Sequence, residues 1–381
     1  MYLAFVQWLF AMGWTVYVLF LPELLTRAGI DKTWTPWVLA LDQLIFAGAD
    51  LAMGLAVDRA RAGLRRIGPL LLGMTAMSTV AMLLMPAGSG WGGGVFLGLT
   101  VVWVVTSAAL RAPPFVLLGQ YAAKPALPRM AALQLFGLAL ASALAPYLGL
   151  ALKGIDPALP FAMASVAILA SSGGLVWAER QLAQSAVTGG NSDEPLPFTS
   201  PLALLLMTGL FVAALGFQVH VAVNAVAQIK RVGDASWLPL ILPVFWAGFA
   251  FGLLPAGALG KHLGEARAAA IGCGMGALAL AVGAVSASIP TVATAHMFAG
   301  AGWGLAMANG IGLASASGRS GAEGRYTGLF FSLLALGTLA RIALGLANVQ
   351  PMLAADFEWL PVIAWIAAAV VLLQLAARRR V

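Results

Sequence analysis

The chain of 381 residues is poor in charge: Asp, Glu, Lys and Arg make up 9% of it, against roughly 25% in a soluble domain. A soluble globular protein is thereby excluded. A single cysteine, Cys273, allows no intrachain disulfide, and with three scattered histidines the usual metal-site spacings are missing, so no bound cofactor or metal is expected. No G-x-x-x-x-G-K-[ST] loop is present to bind a nucleotide. Neither H-E-x-x-H nor G-x-S-x-G occurs, which removes the common intramembrane hydrolases and argues against an enzyme. What the chain does have is 61% hydrophobic residues and a mean hydropathy of +0.93. Its 44 glycines lie inside apolar runs rather than in low-complexity tracts, so disorder is excluded as well.

A bilayer core needs about 20 apolar residues per helix. Twelve such runs can be read, over residues 2–21, 35–57, 68–87, 93–121, 130–152, 158–178, 201–228, 236–260, 267–287, 290–314, 326–348 and 358–377. They are far too long for barrel strands, so an all-α membrane protein of twelve transmembrane helices follows. The uncharged first 20 residues read as a span rather than a cleaved signal. The longest polar connection ends at Ser200 and divides the chain into six-helix halves, 1–180 and 201–381, with a linker over 181–200.

The net charge of +7 is read first as topology. With both termini cytoplasmic, fourteen of the 21 basic residues fall inside, Arg59, Arg61, Arg65 and Arg66 among them, and five outside. Acidic residues divide evenly, so the bias belongs to Lys and Arg, as the positive-inside rule requires. The expected place is a bacterial inner membrane, with a monomer in the bilayer and no nucleic acid as partner. Glycines such as Gly272, Gly274, Gly276, Gly300, Gly302 and Gly304 let helices pack closely or slide.

After the second span the chain reads Gly54, Asp58, Arg59, Arg61, Arg65, Arg66, and Gly257 to Lys261 echoes it in the second half. Two six-span halves with this loop resemble the major facilitator superfamily of secondary transporters. Within it, Asp58, Arg59, Arg61, the Arg65–Arg66 pair and Pro69, with Asp50 four residues before Gly54, resemble the glycoside, pentoside and hexuronide cation symporters. The segment from Arg111 to Phe115, the Gly324 to Leu329 run and Arg341 are similar to further motifs of that branch. The resemblance implies a cation site at Asp50 and a glycoside or related metabolite as substrate. Arg111 stands where sodium-coupled members carry Asp or Asn, which favours a proton over sodium.

Ionisable residues at bilayer depth are functional candidates. Asp50 and Arg111 read either as an exchangeable pair that protonation opens or as a permanent salt bridge. Asp42 lies about 80° around the same helix, lining a pathway or bonding a neighbouring helix. His220 and Asn224, four apart on one face with Gln218 nearby, are candidate solute contacts, and Gln134, Asn309 and Arg341 join them. Trp246 and Trp303, near midspan, could stack on a ring; Trp8, Trp14, Tyr17 and Trp103 serve as well for interface anchors. His296 reads as interfacial. Gly54, Asp58 and Arg59 read as a conformational latch, with Asp58 capping a facing helix or pairing with a cation.

The expected activity is alternating-access transport of a small polar solute, coupled to protons. The rivals are a proton-driven exporter of amphiphilic, drug-like compounds and a non-transporting assembly factor or sensor on the same fold.

Overall fold

The computed structural model describes residues 2–62, 68–111, 127–184, 196–318, 321–349, 352 and 354–378. Twelve long helices run through them: α1 (Tyr2–Arg27), α2 (Thr35–Ala62), α3 (Gly68–Gly88), α4 (Gly93–Arg111), α5 (Leu127–Ala151), α6 (Ala158–Gln184), α7 (Pro201–Val219), α8 (Leu238–Leu263), α9 (Glu265–Val285), α10 (Ile289–Gly318), α11 (Glu323–Leu346) and α12 (Leu360–Arg378). Helix α7 continues through a π turn, His220–Asn224, into Ala225–Val232. Among the described residues nine helices are long and apolar enough to cross a membrane, and α4 and α6 carry shorter apolar stretches. Outward-facing leucines and valines such as Leu254, at 76% exposure, Leu278 and Val285 suit a hydrocarbon solvent rather than water.

Helix ends follow local chemistry. Ser200 Oγ accepts from Ala203 N–H at 3.2 Å and Pro201 supplies the first turn of α7, which needs no N–H there. Gly264, at φ +85°, breaks α8 from α9 in a conformation side chains resist.

In the amino-terminal part α3 packs on α4 and α6, α1 on α5 and α6, and α2 on α4. In the carboxy-terminal part α8 and α9 flank α10, while α12 packs on α7 and α9. The α8–α10 contact is glycine on glycine. A Cβ at Gly248 or Gly252 would strike the carbonyls of Met297 and Ala301, and one at Gly300 or Gly304 those of Phe245 and Phe249. Spacing by four on both helices lets the backbones touch, which replaces the hydrophobic drive that lipid cannot supply.

The two groups meet through α2 against α11 and through α5 against α8 and α10. The first half of α5 supplies Ala131, Ala132, Leu135 and Ala139 to the core built mainly by α7 to α12. These contacts lie toward the end of the bundle where α2 stops and α11 begins.

Candidate functional site

That end is closed by a helix cap reaching between the two groups. Asp58, on the last turns of α2, accepts from the backbone N–H groups of Gly324 and Arg325 at 2.8 Å each. These are the otherwise unsatisfied donors that open α11, so a carboxylate gains both hydrogen bonds and the favourable end of the helix field. Gly54, one turn earlier, lies against α11 so closely that a Cβ there would strike the Gly324 carbonyl. The end of the linker joins the same corner. Tyr326 donates to the Leu196 carbonyl at 2.7 Å and meets Phe198 edge-on at 5.2 Å, while the Arg325 guanidinium sits 4.9 Å over the Phe198 ring. Arg59 is exposed; residues 63–67 and most of the linker, 185–195, lie outside the described residues.

Farther along α2, Ser332 of α11 donates to the Ala47 carbonyl at 2.6 Å, and a Cβ at Gly328 would strike the Asp50 carbonyl. Asp50 is fully buried there. The Arg111 side chain lies outside the described residues, and with it the Asp50–Arg111 pair. Asp42 is also buried, at 1% exposure, and Tyr17 of α1 donates its hydroxyl to Oδ2 at 2.8 Å. Its Oδ1 has no hydrogen-bond partner. Around this pair Trp14, Tyr17 and Trp103 form an aromatic wall, with Tyr17 and Trp103 at 4.6 Å and Trp14 and Phe46 at 5.1 Å between centroids.

The carboxy-terminal group repeats the wall. Phe217 stacks on Trp303 at 4.6 Å, Trp303 on Trp365 at 6.0 Å, and Trp246 stands edge-on to Phe217. Trp303 is thus held between two rings at 4% exposure, whereas Trp246, like Gln218, is partly exposed. His220 is fully buried beside Phe245 and His296. Asn224 donates to the Phe357 and Glu358 carbonyls at 3.3 Å each, tying α7 to the segment before α12. Asn309 donates to the Ala256 and Leu305 carbonyls, joining α10 to α8. Gln134 is buried with both amide atoms unpartnered, and the half-buried Arg341 leaves Nε unpartnered. His296, near the start of α10, is fully buried, because α7 and its extension cover it.

The internal repeat runs deeper than the Gly54 and Gly257 echo. At the same offset of 203, Asp31-Lys32-Thr33-Trp34 matches Asp234-Ala235-Ser236-Trp237, Trp14 matches Phe217 and Tyr17 matches His220. Asp31 and Asp234 each accept from the N–H two residues on, at 2.8 and 2.7 Å, starting a short 3-10 turn. Those bonds hold both carboxyls below their ordinary pKa. This D-x-[TS]-W repeat was available in the sequence as the marker that aligns the two aromatic walls.

A membrane-embedded bundle of this kind, two helix groups that meet through α2 against α11 and through α5 against α8 and α10, suits a transporter. A family model for the Major Facilitator Superfamily matches residues 3–340, and the chain belongs to that family, whose members are transporters rather than enzymes. No curated protein matches it in sequence. Among solved structures it is similar to a bacterial homologue of the iron transporter ferroportin in an outward-facing state, with TM-score 0.75 and 14% identity over 99% of this chain and 98% of that one. The E. coli fucose:proton symporter superposes with TM-score 0.66 at 12% identity over 98% and 97% of the two chains. The human organic anion transporter MFSD10 does so with TM-score 0.65 at 15% identity over 98% and 97%.

Proposed function

We propose that the protein is a secondary active transporter that moves a small polar solute, a glycoside or related metabolite, across a bacterial inner membrane by alternating access driven by protons. It works as a monomer of two six-helix halves, 1–180 and 201–381, joined by the 181–200 linker, with both termini cytoplasmic. The observation that carries this reading is the Asp58 cap on α11. It is a contact between the two helix groups that can open and close without unfolding either, which alternation requires. With the orientation given by the basic residues, the Asp58 cap lies at the cytoplasmic end.

Proton coupling draws its support from Asp50 and Asp42, both buried in α2. A carboxylate at that depth costs free energy when charged, so it takes up and releases protons as its surroundings change. The proton coupling named for the E. coli fucose symporter points the same way. Solute contacts come from Gln218, Gln134, Arg341, Trp246 and the two aromatic walls, with His220, Asn224, Trp303 and Asn309 behind them. The aromatic lining also suits an exporter of amphiphilic compounds.

The test is internal pH in proteoliposomes offered sugars, organic anions and amphiphilic cations, with and without sodium. Solute-dependent proton movement, abolished by Asp50→Asn while solute exchange persists, is the expected result. Sodium-dependent uptake without proton movement would overturn the coupling.

A further inference from the structure

Between α7 and α10 lies a pair of buried histidines with three of their four ring nitrogens unpartnered. His220 opens the π turn of α7 and is completely buried, and neither ring nitrogen makes a hydrogen bond. His296, on the second turn of α10, is equally buried, and its Nδ1 has no partner. The rings meet at 87° with centroids 5.0 Å apart. Three buried ring nitrogens without a protein partner in one place are unusual, because buried polar groups are nearly always hydrogen-bonded. The π turn marks the same spot, since such bulges re-aim side chains at sites of use.

The residues around His296 decide which of its nitrogens is left without a partner. Gln228 directs its amide NH2 toward Glu358 Oε2, at 3.5 Å, and so turns Oε1 to His296 Nε2, at 3.4 Å. Nε2 therefore carries the proton and donates, and Nδ1 presents a lone pair. Glu358 is held in turn by Arg231, with Nη1 at 2.8 Å from both carboxylate oxygens. A hydrogen-bond acceptor on the far nitrogen is the arrangement that orients metal-bound imidazoles.

The spacing fits the same ligand. With a metal–nitrogen bond of about 2.0 Å and about 1.1 Å more to the ring centre, two imidazoles on a tetrahedral ion have centroids about 5 Å apart. Imidazole nitrogens select zinc, nickel, copper or ferrous ions over magnesium and calcium. Glu358, linked to His296 through Gln228, is a carboxylate of the same cluster, and Arg231 is the cation beside it. Among the described residues no three His, Cys, Asp or Glu side chains gather around one point, so protein ligands alone do not complete the shell.

We propose that His220 and His296 Nδ1 form an open two-histidine site for a borderline divalent transition-metal ion, with the remaining positions left to water or a bound solute. The site lies within the carboxy-terminal helix group and does not depend on the transport reading.

Tag-free protein in detergent would be titrated with Co2+ by visible absorption and with Zn2+ by calorimetry. One ion per chain is expected, with the intense bands of four-coordinate Co2+ that Zn2+ displaces. His220→Gln and His296→Gln should each weaken binding at least tenfold. Gln228→Leu should weaken it several-fold through the lost orientation of His296. His262→Gln, at the exposed third histidine, should leave binding unchanged. Less than one ion bound per wild-type chain overturns the proposal, as does binding lost in His262→Gln and kept in His220→Gln. Should the buried variants fail to fold, the wild-type stoichiometry and His262→Gln still decide the matter.

Discussion

Replacing Asp58 by Ala removes two hydrogen bonds of 2.8 Å to the opening N–H groups of α11 and breaks the polar tie between the helix groups. A lost helix cap costs about 0.5–2 kcal/mol, and the field at a helix end adds about 0.3–1 kcal/mol. Because the carboxylate is half-buried, water recovers part of this. A net loss of about 2 kcal/mol falls on the closed form alone, since the opened form lacks the contact; that is about a 30-fold shift in the ratio of the two forms. The assay is electron–electron distance measurement between spin labels at Arg59→Cys and Lys261→Cys, in a background with the buried Cys273 replaced by Ala. Both label sites are exposed and lie on opposite helix groups near the closed end. The long-distance population should rise at least tenfold in Asp58→Ala, and Asp58→Asn, which keeps an acceptor without the charge, should fall between. A distance distribution that does not change on removing Asp58 would refute the reasoning.

Gly54→Ala drives a methyl into the Gly324 carbonyl, so the same spin-label pair should separate while α2 and α11 stay folded, as judged by unchanged helical circular dichroism. Phe198→Ala removes the ring beneath Arg325 and beside Tyr326. A cation–π contact is worth about 0.5–1 kcal/mol at such a site; since Phe198 packs on the same carboxy-terminal core as α11, the loss should lower the thermal midpoint and leave the spin-label distances unchanged. Trp365→Phe deletes the Nε1 hydrogen bond to the Ala213 carbonyl at 2.8 Å and leaves a gap against Gly216 and Gly276. It should destabilise the protein by about 1–3 kcal/mol, read as a lower thermal midpoint in detergent.

Much of this architecture was legible along the chain, and the reason is the solvent. Hydrocarbon forbids unsatisfied backbone, so each apolar run had one option, and the helices from α1 to α12 fall on the runs read from the sequence to within a few residues at most ends. The π turn at His220–Asn224 was not legible, since its polar residues sit four apart, the ordinary helical spacing, and no residue type there marks the wider turn. Nor was the burial of His296, near the start of its helix, because what covers it is α7, some seventy residues earlier. Asp58 stood out as a capping residue, but its type alone left a helix end and a basic side chain as equal partners.

By itself, then, the sequence determined the class of solvent and the helices, because these depend on composition and on neighbours a turn or two away. Which polar groups meet was decided only by the tertiary structure. The joining of Asp58 to Gly324, of Tyr17 to Asp42 and of His220 to His296 depends on which helix faces come together, which for α2 and α11 is set by the close approach at Gly54, Gly324 and Gly328. That is a property of two surfaces at once, and no single stretch of chain contains it.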